Sequence, residues 1–261
     1  MPHWYAPGNF PSVATATDDA AAIRAAEGGA EKGEYVRRIF SEIAPRYDFL
    51  NHFLSFNIDR GWRRAAIAAL GVERSPAGRY LDLCAGTLDV SAMLAGTKSF
   101  HGSVFALDFA EPMLRAGKGK IGGRRIDPVA ADALQIPLGS SSMDGAIVAF
   151  GIRNVANLDA GLREVHRVLV PGGRFVILEF STPPSPLINA GYQLYFQRVL
   201  PIVGGMVSGH RTAYRYLPRS VENFPVREEL GRRMTEAGFR NVRWRPLTLG
   251  VVAIHSGERA A

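Results

Sequence analysis

Only one cysteine, Cys84, occurs in the 261 residues, so no disulfide can form within the chain and the fold must rest on burial alone. The opening stretch MPHWYAPGNFPSVATATDD lacks a basic segment followed by an apolar run, so no signal peptide is expected. Long apolar runs are missing too. The greasiest late stretch, LINAGYQLYFQRVLPIVGGMV, is interrupted by Arg198, Pro201 and a glycine pair, short of the roughly 20 apolar residues of a membrane span. The six histidines show no HxxxH spacing, so no metal is expected. No lysine-rich run alternates with aromatic residues, which argues against a nucleic acid partner. What remains is a soluble, cytoplasmic protein whose net charge of +7 suits an acidic ligand or an anionic surface.

A hydrophobic content of 47% with 21% charged residues is enough to bury a two-sided core in one domain. Residues 1–30, rich in alanine, glycine, proline and small polar groups, predict a disordered tail ahead of a single domain over 31–261. Apolar residues Tyr35, Ile39, Phe40 and Ile43 recur at helical steps until Pro45. YDFLNHFLSFNIDRGWRRAAIAAL then predicts a further helical stretch, with Phe49, Leu50, Phe53 and Leu54 on one side, so that 31–70 forms N-terminal helices. RYLDLC, SVFALD, DPVAAD, GAIVAF and RFVILEF follow as candidate strands separated by helical patterns, with FRNVRWRPL and GVVAIHSG as two closing strands after a helix near 227–237. Strands that alternate with helices pair in parallel, because a helix returns the chain to the same edge. The expected fold is an α/β, doubly wound, mostly parallel seven-stranded sheet, interrupted by an insertion over 184–219.

In such a sheet, ligands bind beyond the carboxyl ends of the strands where the strand order reverses. LDLCAGTLDV, Leu81 to Val90, stands there. It has only Gly86 where a dinucleotide loop needs GxGxxG, so a pyrophosphate ligand and a nicotinamide oxidoreductase are disfavoured. An S-adenosylmethionine loop needs less. Asp82 ends the first strand, Gly86 permits close backbone approach, and Thr87 offers a hydroxyl and an N–H near a helix start. Asp108, at the end of the second strand, is placed to accept ribose hydroxyls, and Asp132 after the third to meet an adenine amino group, with the Ala133 backbone beside it. Each aspartate is individually a candidate helix cap; three at successive strand ends favour a nucleotide. Leu88 occupies a position where a branched side chain takes positive φ only at a cost, so ordinary backbone angles are expected there. Cys84 is expected to pack in the core.

The fourth strand leads into AFGIRNVANL, which brings Arg153 and Asn154 to the same rim. Polar groups at a strand end need partners. Arg153 either pairs with a carboxylate or faces a bound molecule. FGIRNV, LDLCAGTLDV, YDFLNHFLSFNIDRGWR, LDFAEPML, RVLVPGGRFVILEFS and YRYLPRSV together resemble the C-methyltransferases of menaquinone and ubiquinone biosynthesis, from Tyr35 to the C-terminus. The sequence departs from that pattern at Leu88, commonly glycine, and at Ala149, commonly serine. The resemblance implies a Rossmann-like class I S-adenosylmethionine-dependent methyltransferase fold. It implies cofactor contacts from Thr87, Asp108, Asp132 and Ala133, and a substrate-facing role for Arg153 and Asn154. It also implies a prenylated quinol substrate, S-adenosylmethionine as methyl donor, and peripheral contact with the inner face of a membrane; the stretches 47–62 and 186–207 either form an apolar entrance for that substrate or pack on the sheet as core. A homo-oligomer is compatible with it. Carbon methylation next to a phenolic hydroxyl requires a base; Asp48, His52 and His210 are of suitable type, with Tyr47 as a candidate relay, and the sequence selects none of them. Arginine stays charged and serves as a donor to the phenolate instead. A methyltransferase of this fold acting on another small molecule or on RNA, and a non-catalytic relative, remain as alternatives; RNA binding and cofactor titration separate the last two.

Overall fold

The computed structural model describes residues 31–199 and 211–260. The tail expected over 1–30, His210, and the side chains of Phe49, Leu50, Phe53 and Leu54 lie outside the described residues. In chain order the elements are α1 (Glu31–Ile43), α2 (Tyr47–Leu54), α3 (Asp59–Leu70), β1 (Arg79–Leu83), α4 (Asp89–Ala95), β2 (Ser103–Asp108), α5 (Glu111–Gly117), β3 (Ile126–Ala130), β4 (Met143–Ala149), α6 (Leu158–Val168), β5 (Leu169–Phe180), α7 (Pro186–Leu194), α8 (Arg211–Glu222), α9 (Arg227–Glu236), β6 (Phe239–Leu247) and β7 (Val252–Arg259). The helical stretch expected from Tyr47 onward is two helices, because Phe56 and Asn57 adopt left-handed backbone angles of φ 52° and 60°, which an α-helix cannot absorb.

The sheet has seven strands in the order β3-β2-β1-β4-β5-β7-β6. The first five are parallel, and β7 runs antiparallel between β5 and β6. Both faces are apolar, as a parallel sheet requires. Along β5, Val176 and Leu178 join one core with Trp62, Ile67 and Leu70 of α3 and Leu94 of α4. Phe175 and Ile177 point the other way, into a second core with Leu162 and Val165 of α6 and Leu230 and Met234 of α9. A smaller third cluster joins Tyr35, Val36, Ile39 and Ile43 of α1 to Tyr192 of α7 and to Tyr216 and Val221 of α8. The segment expected as an insertion thus packs through α7 and α8 on α1.

Strand order reverses between β1 and β4, which are neighbours although β2 and β3 intervene in sequence. The crevice of a doubly wound sheet opens there. Close approach of the two strand ends requires glycine: a Cβ at Gly151 would lie 2.3 Å from the Cβ of Cys84.

Candidate active site

Immediately after β1 the chain turns through Cys84 (φ 53°), Gly86 (φ 53°) and Leu88 (φ 67°). Ordinary backbone angles were expected at Leu88, and the structure corrects this. Leu88 is left-handed and directly precedes α4, with its N–H donating to the Ala85 carbonyl at 2.9 Å. Its side chain is fully buried in the first core. Burial of a leucine side chain stabilises by about 1.5–3 kcal/mol, which offsets a left-handed cost of about 1–2 kcal/mol. Cys84 packs against the second core and is partly buried; burial pushes its thiol well above the ordinary value, with Asp108 adding to the effect.

The loop and the ends of β2 and β4 enclose a first cavity whose walls include Gly86, Asp108, Asp132, Ala133 and Asn154, with Phe109 and Met113 as apolar surface. Asp108 is its buried acid. Its Oδ2 accepts the Gly86 N–H and its Oδ1 the Ala110 N–H, both at 2.8 Å. Burial raises the carboxyl above its ordinary value against those two bonds. Each oxygen keeps acceptor capacity beyond the bond it already holds. Asp132 is exposed, and its Oδ1 accepts the Leu134 N–H at 2.9 Å. Ala133 is buried beside it.

Two expected cofactor residues stand off this wall. Asp82 is buried beneath the loop, where Oδ2 accepts the Ser91 hydroxyl of α4 at 2.5 Å, and burial pushes its carboxyl up to about 7. Thr87 is also buried, and its hydroxyl donates to Asp48 of α2. A chain of charges continues from there. Asp48 pairs with Lys120, which pairs with Asp89, both at 2.5 Å. His52 lies between Asp89 at 3.8 Å and Asp59 at 3.0 Å. Burial would raise Asp59, yet the hydrogen bonds from Ser55 and His52 and the Arg63 charge take it below its ordinary value. Asp48 and His52, two of the base candidates, are therefore engaged in holding α2 and α3 against the loop. Tyr47 sits at the junction, and burial raises its phenol.

A second cavity of about 340 Å³ opens beyond Tyr47 and Phe150, which line both spaces. Its walls are apolar, with Phe56, Trp62, Phe180, Ile188 and Tyr195 among them, and Arg153 and Asp59 supply charge. Arg153 and Asn154 sit on one short turn, Ile152–Asn154, and face different spaces: Arg153 lines the second cavity and Asn154 the first. The Tyr216 hydroxyl donates to Asn154 Oδ1 at 3.1 Å. Arg153 pairs with a carboxylate that sequence reasoning did not single out. Its Nη1 donates to Glu179 Oε1 at 2.7 Å and to the Phe150 carbonyl at 2.6 Å. The guanidinium also lies 5.5 Å from the Phe180 ring centre. Glu179 is 2% exposed. A lone acid inside the apolar run RFVILEF was the available signal, since a carboxylate in a strand covered on both faces needs a buried partner.

A cavity with a buried acid at the end of the second strand, beside a larger apolar chamber at the strand-order switch of a doubly wound sheet, fits a class I S-adenosylmethionine-dependent methyltransferase. The comparisons agree. The model of the ubiE/COQ5 methyltransferase family matches residues 29–259, and the chain belongs to that family. The demethylmenaquinone methyltransferase of Thermus thermophilus is 48% identical over 223 residues, covering 85% of this chain and all of that protein. The ubiquinone/menaquinone biosynthesis C-methyltransferase UbiE of Geotalea daltonii is 44% identical over 233 residues, covering 88% and 98%. Among solved structures, a SAM-dependent methyltransferase from Thermotoga maritima shares the fold with a TM-score of 0.61 at 18% identity, covering 85% of this chain and 98% of its own.

Proposed function

We propose that the protein moves a methyl group from S-adenosylmethionine to a ring carbon of a prenylated quinol, with demethylmenaquinol the substrate that the names of its relatives favour. One observation carries this: a cavity that holds the buried acid Asp108 and a larger apolar one share the walls Tyr47 and Phe150, and the adjacent residues Arg153 and Asn154 serve one each. The first suits a ribose and an adenine. Asp108 accepts ribose hydroxyls with its remaining lone pairs, Asp132 and the Ala133 backbone meet the adenine edge, and Gly86 lets the loop approach the amino acid portion. Asp82 and Thr87 hold the loop from below and from α2. When bound, the cofactor supplies an electrophilic methyl on a sulfonium. The second cavity takes the ring and the start of the prenyl tail. Arg153 donates to the ring oxygen as negative charge develops there, and Asn154 steadies the turn between the two ligands. Holding carbon and methyl in line is the largest share of the rate, with Arg153 stabilising the developing charge.

The mouth of the second cavity supports contact with a membrane. Phe56 and Ile58 on its wall are 76% and 46% exposed, and Leu187 and Leu194 on α7 are 84% and 60% exposed. Arg60 and Arg64, also exposed, lie in α3 just after Phe56 and Ile58. Among the described residues no helix is long and apolar enough to cross a bilayer, so the contact is peripheral.

Calorimetric titration with S-adenosylmethionine tests the cofactor half. Asp108→Ala removes a charged acceptor worth about 1.5–3 kcal/mol, so its Kd is expected to rise about 10- to 100-fold. Wild-type affinity in that variant would contradict the assignment of Asp108.

A further inference from the structure

Carbon methylation beside a hydroxyl needs a group that takes the hydroxyl proton, and Asp48 and His52 are engaged in the network that holds α2 and α3 against the loop. The Arg153–Glu179 pair supplies such a group. It is made through one donor and one acceptor only, Nη1 to Oε1 at 2.7 Å. Oε1 also accepts the Phe180 N–H at 2.9 Å. The other two atoms, Arg153 Nε and Glu179 Oε2, are buried without a hydrogen-bond partner. A buried donor and a buried acceptor left open in one ion pair are costly. A hydroxyl complements them, because its oxygen accepts and its hydrogen donates.

We infer that Glu179 is the proton acceptor of the reaction: the quinol hydroxyl held by Arg153 gives its proton to Glu179 Oε2, directly or through one water. The inference rests on the quinol methylation proposed above. Each step balances. As the O–H bond breaks, its electron pair stays on oxygen and delocalises into the ring. The adjacent ring carbon forms a bond to the methyl carbon while the S–CH3 bond breaks, and that pair remains on sulfur as a neutral thioether. A water then takes the ring carbon's hydrogen as a proton, the C–H pair restores the aromatic ring and returns the negative charge to oxygen, and Glu179 gives its own proton back to that oxygen.

Electrostatics favours this assignment over the other acids. Before transfer Arg153 faces the Glu179 carboxylate; after transfer it faces the phenolate. The charge of the site does not change, so no uncompensated ion is created in a dry place. The groups around Glu179 are Arg153 on the turn after β4, Cys84 after β1, Tyr192 on α7 and Tyr216 on α8. Burial raises the Glu179 carboxyl and Arg153 opposes that rise, leaving an acceptor more basic than an exposed glutamate. Asp59, which lines the chamber with Arg153, is held below its ordinary value.

The test is kinetic, on the full-length enzyme with S-adenosylmethionine and two quinols, demethylmenaquinol and a ring-fluorinated analogue with a more acidic hydroxyl. Glu179→Gln keeps an acceptor for Arg153 Nη1 and cannot take the proton. Its cofactor Kd and quinol KM are expected to stay within about threefold of wild type while kcat falls about 100-fold or more. With the acidic quinol that deficit is expected to shrink at least about tenfold, since less of the proton transfer depends on the protein. A residue that only positions Arg153 would show the same deficit with both quinols. Glu179→Asp keeps the carboxylate one methylene further away and serves if Glu179→Gln does not fold; it is expected to lose kcat, again less with the acidic quinol. Unchanged kcat in either folded variant, a deficit equal for both quinols, or a loss wholly in KM overturns the inference. A wild-type enzyme that binds no cofactor or methylates no quinol would instead defeat the function on which it rests.

Discussion

At the residue scale, Leu88 and Asp82 show how the cofactor loop is held from beneath rather than by glycine. Leu88 accepts a left-handed backbone because its side chain fills the core between α4 and the sheet. Leu88→Gly removes the backbone cost but leaves a void, and large-to-small core changes typically lose about 2–5 kcal/mol. A net loss of about 1–3 kcal/mol is expected once the relieved strain of about 1–2 kcal/mol is subtracted. Urea unfolding checks it, and a variant more stable than wild type would contradict this picture of the loop. Asp82 makes a prediction in pH. Its carboxyl rises from an ordinary 3.8 to about 7 in the fold, so the native state favours the protonated form. That contribution is fully present below pH 3.8 and is lost as pH rises through about 7. Asp82→Asn mimics the protonated form at every pH. Its stability relative to wild type is therefore expected to improve between pH 4 and pH 8, by up to about 4 kcal/mol. Equal differences in Tm at the two ends of that range would contradict it. A left-handed leucine could not be foreseen from the sequence, because the buried area that sustains it comes from elements distant along the chain.

At the element scale, α2 is the part that joins the two ligand spaces. Tyr47 lines both, Asp48 accepts from Thr87 of the loop, and Lys120 bridges Asp48 and Asp89 at 2.5 Å each. Asp48 and Lys120 are partly exposed, at 36% and 28% of their side chains, so the pair contributes only about 1 kcal/mol after screening. Asp48→Asn is expected to weaken cofactor affinity about fivefold, chiefly through faster release, and added salt is expected to shrink the difference. Stopped-flow release of the cofactor at low and high salt measures this; an unchanged release rate would remove α2 from any role in retaining it. The strands that frame the site were legible because each is a short apolar run followed by a polar rim residue. The break between α2 and α3 was not, since FNID contains no proline or glycine; Asn57 takes left-handed angles readily, whereas nothing in the sequence marks Phe56 for them.

At the scale of the whole molecule, the proposed membrane contact joins the apolar mouth of the chamber to the excess of positive charge. In that proposal exposed Phe56, Leu187 and Leu194 enter a bilayer boundary, and the net charge of +7 draws the protein to an anionic surface. Sedimentation with vesicles is expected to increase with anionic lipid and to fall as salt rises. Phe56→Ser with Leu187→Ser is expected to reduce binding severalfold while leaving cofactor affinity unchanged. Binding indifferent to both lipid charge and these substitutions would rule this face out. The overall architecture was legible because helix and strand periods alternate along the chain. The placement of part of the candidate site was legible too, since Asp108 and Arg153 stand at the strand ends where a doubly wound sheet opens its crevice. The partners of those residues were not legible: Arg153 meets Glu179 from a neighbouring strand, Thr87 meets Asp48 from a helix 39 residues earlier, and pairing across such distances is set only by the fold.

The most direct test of the central claim is to supply the enzyme with S-adenosylmethionine carrying a CD3 group, together with demethylmenaquinol, and to locate the label by mass spectrometry and NMR. The expected product carries CD3 on the ring carbon beside the hydroxyl, in place of hydrogen and stable to ether-cleaving acid. Label on oxygen, or no transfer by an enzyme that binds the cofactor, would contradict carbon methylation of a quinol.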